Sequence, residues 1–142
     1  MTLQSHTVLT EVRSEDSVDP AVRLAAMVGS TVIHLPGDSG YDEARTLWNT
    51  AVDLRPAAVA EPTTAAEVSA GVTASSQLGY QVAPVGTGHN AGPLVQHDLA
   101  STVLVKLDAM NGIEINPLTA MARVQGGALW GDVTEAAGRH GL

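Results

Sequence analysis

Gln81-Val82-Ala83-Pro84-Val85-Gly86-Thr87-Gly88-His89-Asn90-Ala91-Gly92 joins an apolar strand, Gln81 to Val85, to a glycine-rich loop. Upstream, Ala57 to Ala60 reads as another small strand. Between the two strands, Thr64 and Glu67 form a capping box for a helix running to about Leu78. Ala65, Val68 and Val72 are its expected buried stripe, and Gly79 its left-handed terminator. Strand, helix, strand within about thirty residues predicts a parallel pair joined by a right-handed crossover. The loop then leaves the carboxyl end of a parallel strand, the edge of a sheet that ligands favour. Glycines at 86, 88 and 92 permit positive φ there. Their N–H groups can form an anion nest able to hold a pyrophosphate without any lysine.

Thr102 to Leu107 is nearly continuous in apolar character and predicts a strand covered on both faces. Ile113 to Ile115 and Ala120 to Gln125 flank Asn116-Pro117-Leu118-Thr119, the turn of an antiparallel hairpin. Gly126-Gly127 precedes a last helix, about Leu129 to Ala137. Towards the N-terminus, Asp19-Pro20 opens a helix in which Leu24, Met27 and Val28 share a face before Gly29 ends it. Thr31 to Leu35 reads as a short strand. Tyr41 to Asn49 reads as a short helix with Ala44, Leu47 and Trp48 turned inward, and both Trp48 and Trp130 are expected as core anchors. The fold class expected is α+β, a βαβ unit followed by an antiparallel meander. Residues 1–53 form a lead-in of helices and a short strand, and 54–142 the main unit.

With 142 residues and 44% hydrophobic content, the chain is sized for one domain. Seven Lys plus Arg against fifteen Asp plus Glu give a net charge of -8, and Lys106 is the only lysine. Nucleic acid is excluded as a partner by the missing basic footprint. Without cysteine there is no disulfide, thiolate metal site or thioether link to a cofactor. Met1 to Thr10 lacks the basic start and apolar run of a secretory leader, and no stretch approaches the ~20 apolar residues of a membrane span. A soluble, cytoplasmic protein without a membrane partner is expected. His34, His97 and Asp98 could join His89 around a metal only without any spacing of the His-x-x-x-His kind, so no metal is expected. Nothing links Tyr41 or Tyr80 to catalysis.

Gly86-x-Gly88-x-x-Ala91 also satisfies the dinucleotide pattern of a Rossmann module, with Asp108 about where a ribose hydroxyl would be met. That NAD-binding alternative needs a helix directly after Ala91, with its N-terminus facing the phosphates. Gly92-Pro93-Leu94-Val95-Gln96-His97-Asp98 is short and broken for one. A helix there would favour the Rossmann reading; an irregular loop followed by a meander would not.

Gln81 through Gly92 resembles the pyrophosphate loop of FAD-linked oxidases with the vanillyl-alcohol-oxidase (PCMH-type) fold, in the branch of berberine bridge enzyme and 6-hydroxynicotine oxidase. Three more stretches resemble that family in the same order: Pro36-Gly37-Asp38 through Tyr41 and Arg45 to Asn49, then Arg55 to Val59, then Val124 to Val133. Asn90 agrees with the nicotine-oxidase branch, whereas Val85 and Thr87 depart from the usual arginine and glycine. The resemblance implies FAD, with Pro84, Val85, Gly86, Thr87, Gly88, His89, Asn90, Ala91, Gly92 and Asp108 as cofactor-binding residues. It also implies a covalent link from His89 to the flavin 8α-methyl group; the alternative is a loop histidine that only hydrogen-bonds backbone. The complete enzyme would oxidise a small organic substrate by hydride transfer to flavin and then to oxygen. Only the leading part of the family's flavin domain is matched, so the domain is expected to be incomplete at its C-terminus. No catalytic base can be named. A non-catalytic nucleotide-binding remnant or partner-dependent subunit fits the same residues. An uncovered sheet edge would favour self-association.

Overall fold

Val103, Leu104 and Val105 form the most apolar run of the chain, and the fold is built around them. The computed structural model describes residues 19–29 and 31–142. In chain order these are α1 (Pro20–Met27), β1 (Val32–His34), α2 (Tyr41–Arg45), β2 (Ala58–Glu61), α3 (Ala65–Gln77) and β3 (Gln81–Val85). A short 3-10 helix (Gly92–Gln96) is followed by β4 (Thr102–Lys106), β5 (Ile113–Asn116), β6 (Met121–Val124) and α4 (Trp130–Gly138). A four-stranded sheet has the order β1-β2-β4-β3, and β5 and β6 form a separate antiparallel hairpin.

This order corrects one expectation. β2 and β3 are parallel but are not neighbours, because β4 lies between them and pairs parallel with both. The reason is hydrophobic: β4 is buried from Thr102 to Val105, so it takes the central place where helices and chain cover both faces. Period-two alternation sends Leu104 to one face with Val59, Ala83, Tyr41, Ala44, Leu47 and Leu54. Val103 and Val105 face the other side with Ala58, Ala60, Ala74, Leu24 and Val28. The lead-in is therefore part of the core: β1 pairs antiparallel with β2, and α2 with the segment after it covers one face.

The helices follow their local signals, with adjustments imposed by packing. Asp19 caps α1 through its side chain, accepting from the Ala21 N–H at 2.8 Å, and Gly29 terminates it at φ +65. Leu24 and Val28 are buried as expected, but Met27 is exposed. In α3 the Thr64 hydroxyl accepts from the Glu67 N–H at 3.2 Å, while the Glu67 carboxylate reaches past the cap to the Thr63 N–H at 2.6 Å. The buried face of α3 is Gly71, Ala74 and Ser75 rather than the expected Ala65, Val68 and Val72 stripe. Val72 is turned to solvent. The α2 helix stops at Arg45, not Asn49, because Arg45 is drawn to Asp42, Asp53 and the Leu54 carbonyl. Thr46 is extended, and Trp48, expected inside, is exposed; so is Trp130 at the start of α4.

The hairpin turn is built as expected, with the Asn116 side chain accepting from the Leu118 and Thr119 N–H groups at 3.1 and 3.2 Å. No helix among the described residues is long and apolar enough to cross a membrane.

Candidate functional site

β3 ends at Val85, and the carboxyl edge of the parallel strands carries the site. The Leu107 N–H donates to the Val85 carbonyl at 2.9 Å, so the chain beyond β4 starts level with the glycine loop. Of the glycines expected to need positive φ in this loop, only Gly88 has it, at +72. Gly88 also lies against Leu47: a Cβ there would come within 2.6 Å of its Cδ1. Gly86 and Gly92 have ordinary φ. A Cβ on Gly86 would sit 3.3 Å from the Gly126 carbonyl oxygen, whereas Gly92 has open space. Gly127 is the tightest of the set, since a Cβ would lie 1.9 Å from the Leu107 carbonyl oxygen. Glycine is thus needed at 86 and 127 for close approach of two loops, and at 88 for both backbone geometry and space.

Two cavities open beside this junction and share Gly86 and Thr87. One, of about 360 Å³, is formed by the loop itself from Pro84 to Ala91, with Pro93 and Leu94. The other, of about 440 Å³, has apolar walls at Leu47, Trp48 and Leu129 and polar ones at Thr87, Lys106, Asp108, Asn111 and Asp132. The structure therefore brings the sequence-predicted residues 84–91 together around one cavity and puts Asp108 in its neighbour. Gly92 lies outside both linings. His34 and His97 are not part of either.

Within the loop, His89 is exposed and its Nδ1 lies 3.0 Å from the Thr87 hydroxyl. That contact fixes the ring and leaves Nε2 as the nitrogen available to a ligand. In the tautomer with its proton on Nδ1, that group donates to the hydroxyl oxygen and Nε2 carries the free lone pair; in the other, the hydroxyl donates to Nδ1.

Lys106-Leu107-Asp108 resembles the family stretch that passes near the flavin, but the sequence assigned Lys106 itself no contact; in the structure it is the cation of the larger cavity. Its side chain is only 13% exposed, and Nζ is 3.5 Å from Glu61 Oε1 and 3.6 Å from Asp108 Oδ2. Glu61 Oε2 in turn meets His34 Nε2 at 3.0 Å. The available signal was positional: the only lysine ends a buried strand at the same sheet edge as the glycine loop.

The segment after Ala91 is a five-residue 3-10 helix, then a bend at His97 and a turn leading to β4. The α-helix that the Rossmann alternative requires is absent at this point of the chain.

Residues 56–142 match a protein family described as FAD binding domain, more than half of the chain. The chain belongs to this FAD-binding family. FAD is accordingly its cofactor class, and the donor set fits it. Apolar walls flanked by hydroxyl, amide, ammonium and carboxylate groups suit a flat ring system with polar edges. Similar proteins lie in the branch that the motifs indicated. (R)-6-Hydroxynicotine oxidase of Paenarthrobacter nicotinovorans is 29% identical over 107 residues, 75% of this chain and 23% of that protein. Glucooligosaccharide oxidase of Sarocladium strictum is 30% identical over 98 residues, 69% of this chain and 19% of that protein. A variant of the Physcomitrella patens BBE-like 1 protein superposes with a TM-score of 0.69 at 26% identity, covering 80% of this chain and 25% of the other. The chain thus spans about a quarter or less of the length of these relatives. The FAD-binding domain has the α+β, PCMH-type fold of its structural neighbours.

Proposed function

We propose that this chain is the FAD-binding portion of an FAD-dependent oxidase, with the loop from Pro84 to Gly92 and Asp108 contacting the cofactor. The observation that carries this reading is the family match over residues 56–142, which contains both glycine stretches and both cavities' polar groups. In this reading the loop backbone holds the pyrophosphate, Asp108 and Lys106 meet polar edges of the cofactor, and His89 carries the covalent link through Nε2. When bound, FAD supplies the hydride acceptor for oxidation of a small organic substrate, with oxygen as the second acceptor. The chain's own part is to bind and orient. Residues 54–142 are taken as the partial flavin domain and 1–53 as its lead-in. A cytoplasmic location belongs to the same proposal and is open to cell fractionation.

A non-catalytic nucleotide-binding chain is the rival reading, and it uses the same residues. Expression in a flavin-replete host followed by acid denaturation tests the proposal, with attached flavin read by absorbance and intact mass. Acid-stable flavin is expected in the parent and absent in His89→Ala, which should still bind FAD reversibly. A colourless parent that also fails to take up added FAD would overturn the reading. Bound flavin without turnover of any substrate amine or alcohol offered would favour the non-catalytic rival.

A further inference from the structure

We propose that Trp48 is the stacking platform of the larger cavity, laying its indole against a planar heteroaromatic ring of the bound dinucleotide; this deepens the FAD reading and rests on it. The chain contains no phenylalanine, two tryptophans and two tyrosines, so aromatic surface is scarce. Tyr41 is buried in the core with its hydroxyl donating to the Pro56 carbonyl, and Tyr80 lines a cavity with Ala57 and Ala100, near the amino ends of β2 and β3. Trp130 lines neither loop cavity. Trp48 does, beside Gly86 and Thr87, while remaining 79% exposed.

Exposure alone calls for no partner, since Trp130 is 77% exposed as well; what sets Trp48 apart is its place in the wall of the cavity. The backbone holds Trp48 in this place. Its N–H donates to the Thr87 carbonyl at 3.1 Å, the preceding Leu47 is packed under Gly88, and the following Asn49 turns the chain by accepting from the Val52 N–H at 3.1 Å. The α2 helix ends early so that this segment can run along the loop. Thr87, Lys106, Asp108 and Asn111 offer hydroxyl, ammonium, carboxylate and amide groups to the edge of a ring in the same cavity. At about 440 Å³ the cavity has room for one ring system. Both the isoalloxazine and the adenine of FAD are planar heteroaromatic rings, and stacking is tolerant of which one is presented.

The test uses the full chain in a His89→Ala, Trp130→Phe background, where Trp48 is the sole tryptophan and FAD binding is reversible, titrated separately with FAD, FMN and ADP. FAD is expected to quench Trp48 emission. Whichever of FMN or ADP loses affinity when Trp48 is replaced by Leu identifies the ring. Because flavin accepts tryptophan emission at a distance, affinity decides: Trp48→Leu should weaken FAD binding roughly tenfold, and Trp48→Phe should retain most of it, as expected for ring stacking. The circular dichroism of the Leu variant should match the parent, since little of the indole is buried. FAD binding by Trp48→Leu as tight as by the parent would overturn the stacking role and leave the FAD reading intact. A parent that binds none of the three ligands overturns the FAD reading and this inference with it.

Discussion

Gly88 is where a single hydrogen atom decides the geometry of the loop. Its φ of +72 costs a residue with a side chain about 1 kcal/mol or more, and the Leu47 side chain occupies the space a Cβ would need. Gly88→Ala is therefore expected to destabilise the chain by about 1–3 kcal/mol and to weaken FAD binding. Chemical denaturation and an FAD titration check the two effects. Gly92→Ala should leave stability unchanged, since its φ is ordinary and nothing crowds it. The glycine pattern was legible in the sequence, but which glycine carried the strain was not, because strain depends on Leu47 arriving from forty residues upstream. Thr87 illustrates the same limit: it departs from the family's usual glycine, and only folding reveals that its hydroxyl meets His89 Nδ1 at 3.0 Å.

At the scale of elements, β4 carries the sheet. Leu104 is fully buried and flanked by β2 and β3, so Leu104→Ala removes a side chain that both neighbouring strands pack around. A loss of about 2–5 kcal/mol is expected, read as a lower denaturation midpoint with an unchanged slope. Local signals located the strands and caps well because they act within a few residues: Asp19, Thr64, Gly79 and the Asn116 turn all do what their chemistry implies. The buried faces were less legible. Val72 and Met27 fit a helical stripe, yet α3 buries Gly71, Ala74 and Ser75 and leaves Val72 outward. A helix that packs through small residues shows little amphipathic signal in its sequence.

For the molecule as a whole, Arg45 clamps the end of α2 to the segment that leads into β2, binding Asp42, Asp53 and the Leu54 carbonyl. Hydrogen bonds from Arg45 first, and from Arg55 next, hold the Asp53 carboxyl below the usual carboxylate range. A carboxyl whose pKa is lower in the folded state adds stability that is fully present above its unfolded pKa and is lost as pH falls through the folded value. Acidification below about pH 4 should therefore loosen the clamp, whereas neutral pH leaves it intact. Asp53→Asn should flatten this acid limb when unfolding midpoints are compared across pH. The sequence by itself determined the order of strands and helices, the acidic charge, the absence of thiol chemistry and the glycine loop at a strand's carboxyl end, because these follow from residue type and short-range spacing. Tertiary structure alone decided that β4 separates β2 from β3, that Lys106 pairs with Glu61, and that Trp48 stands at the cavity rather than in the core. Each of those is a contact between segments far apart in the chain, fixed by which apolar surfaces find room to be buried together.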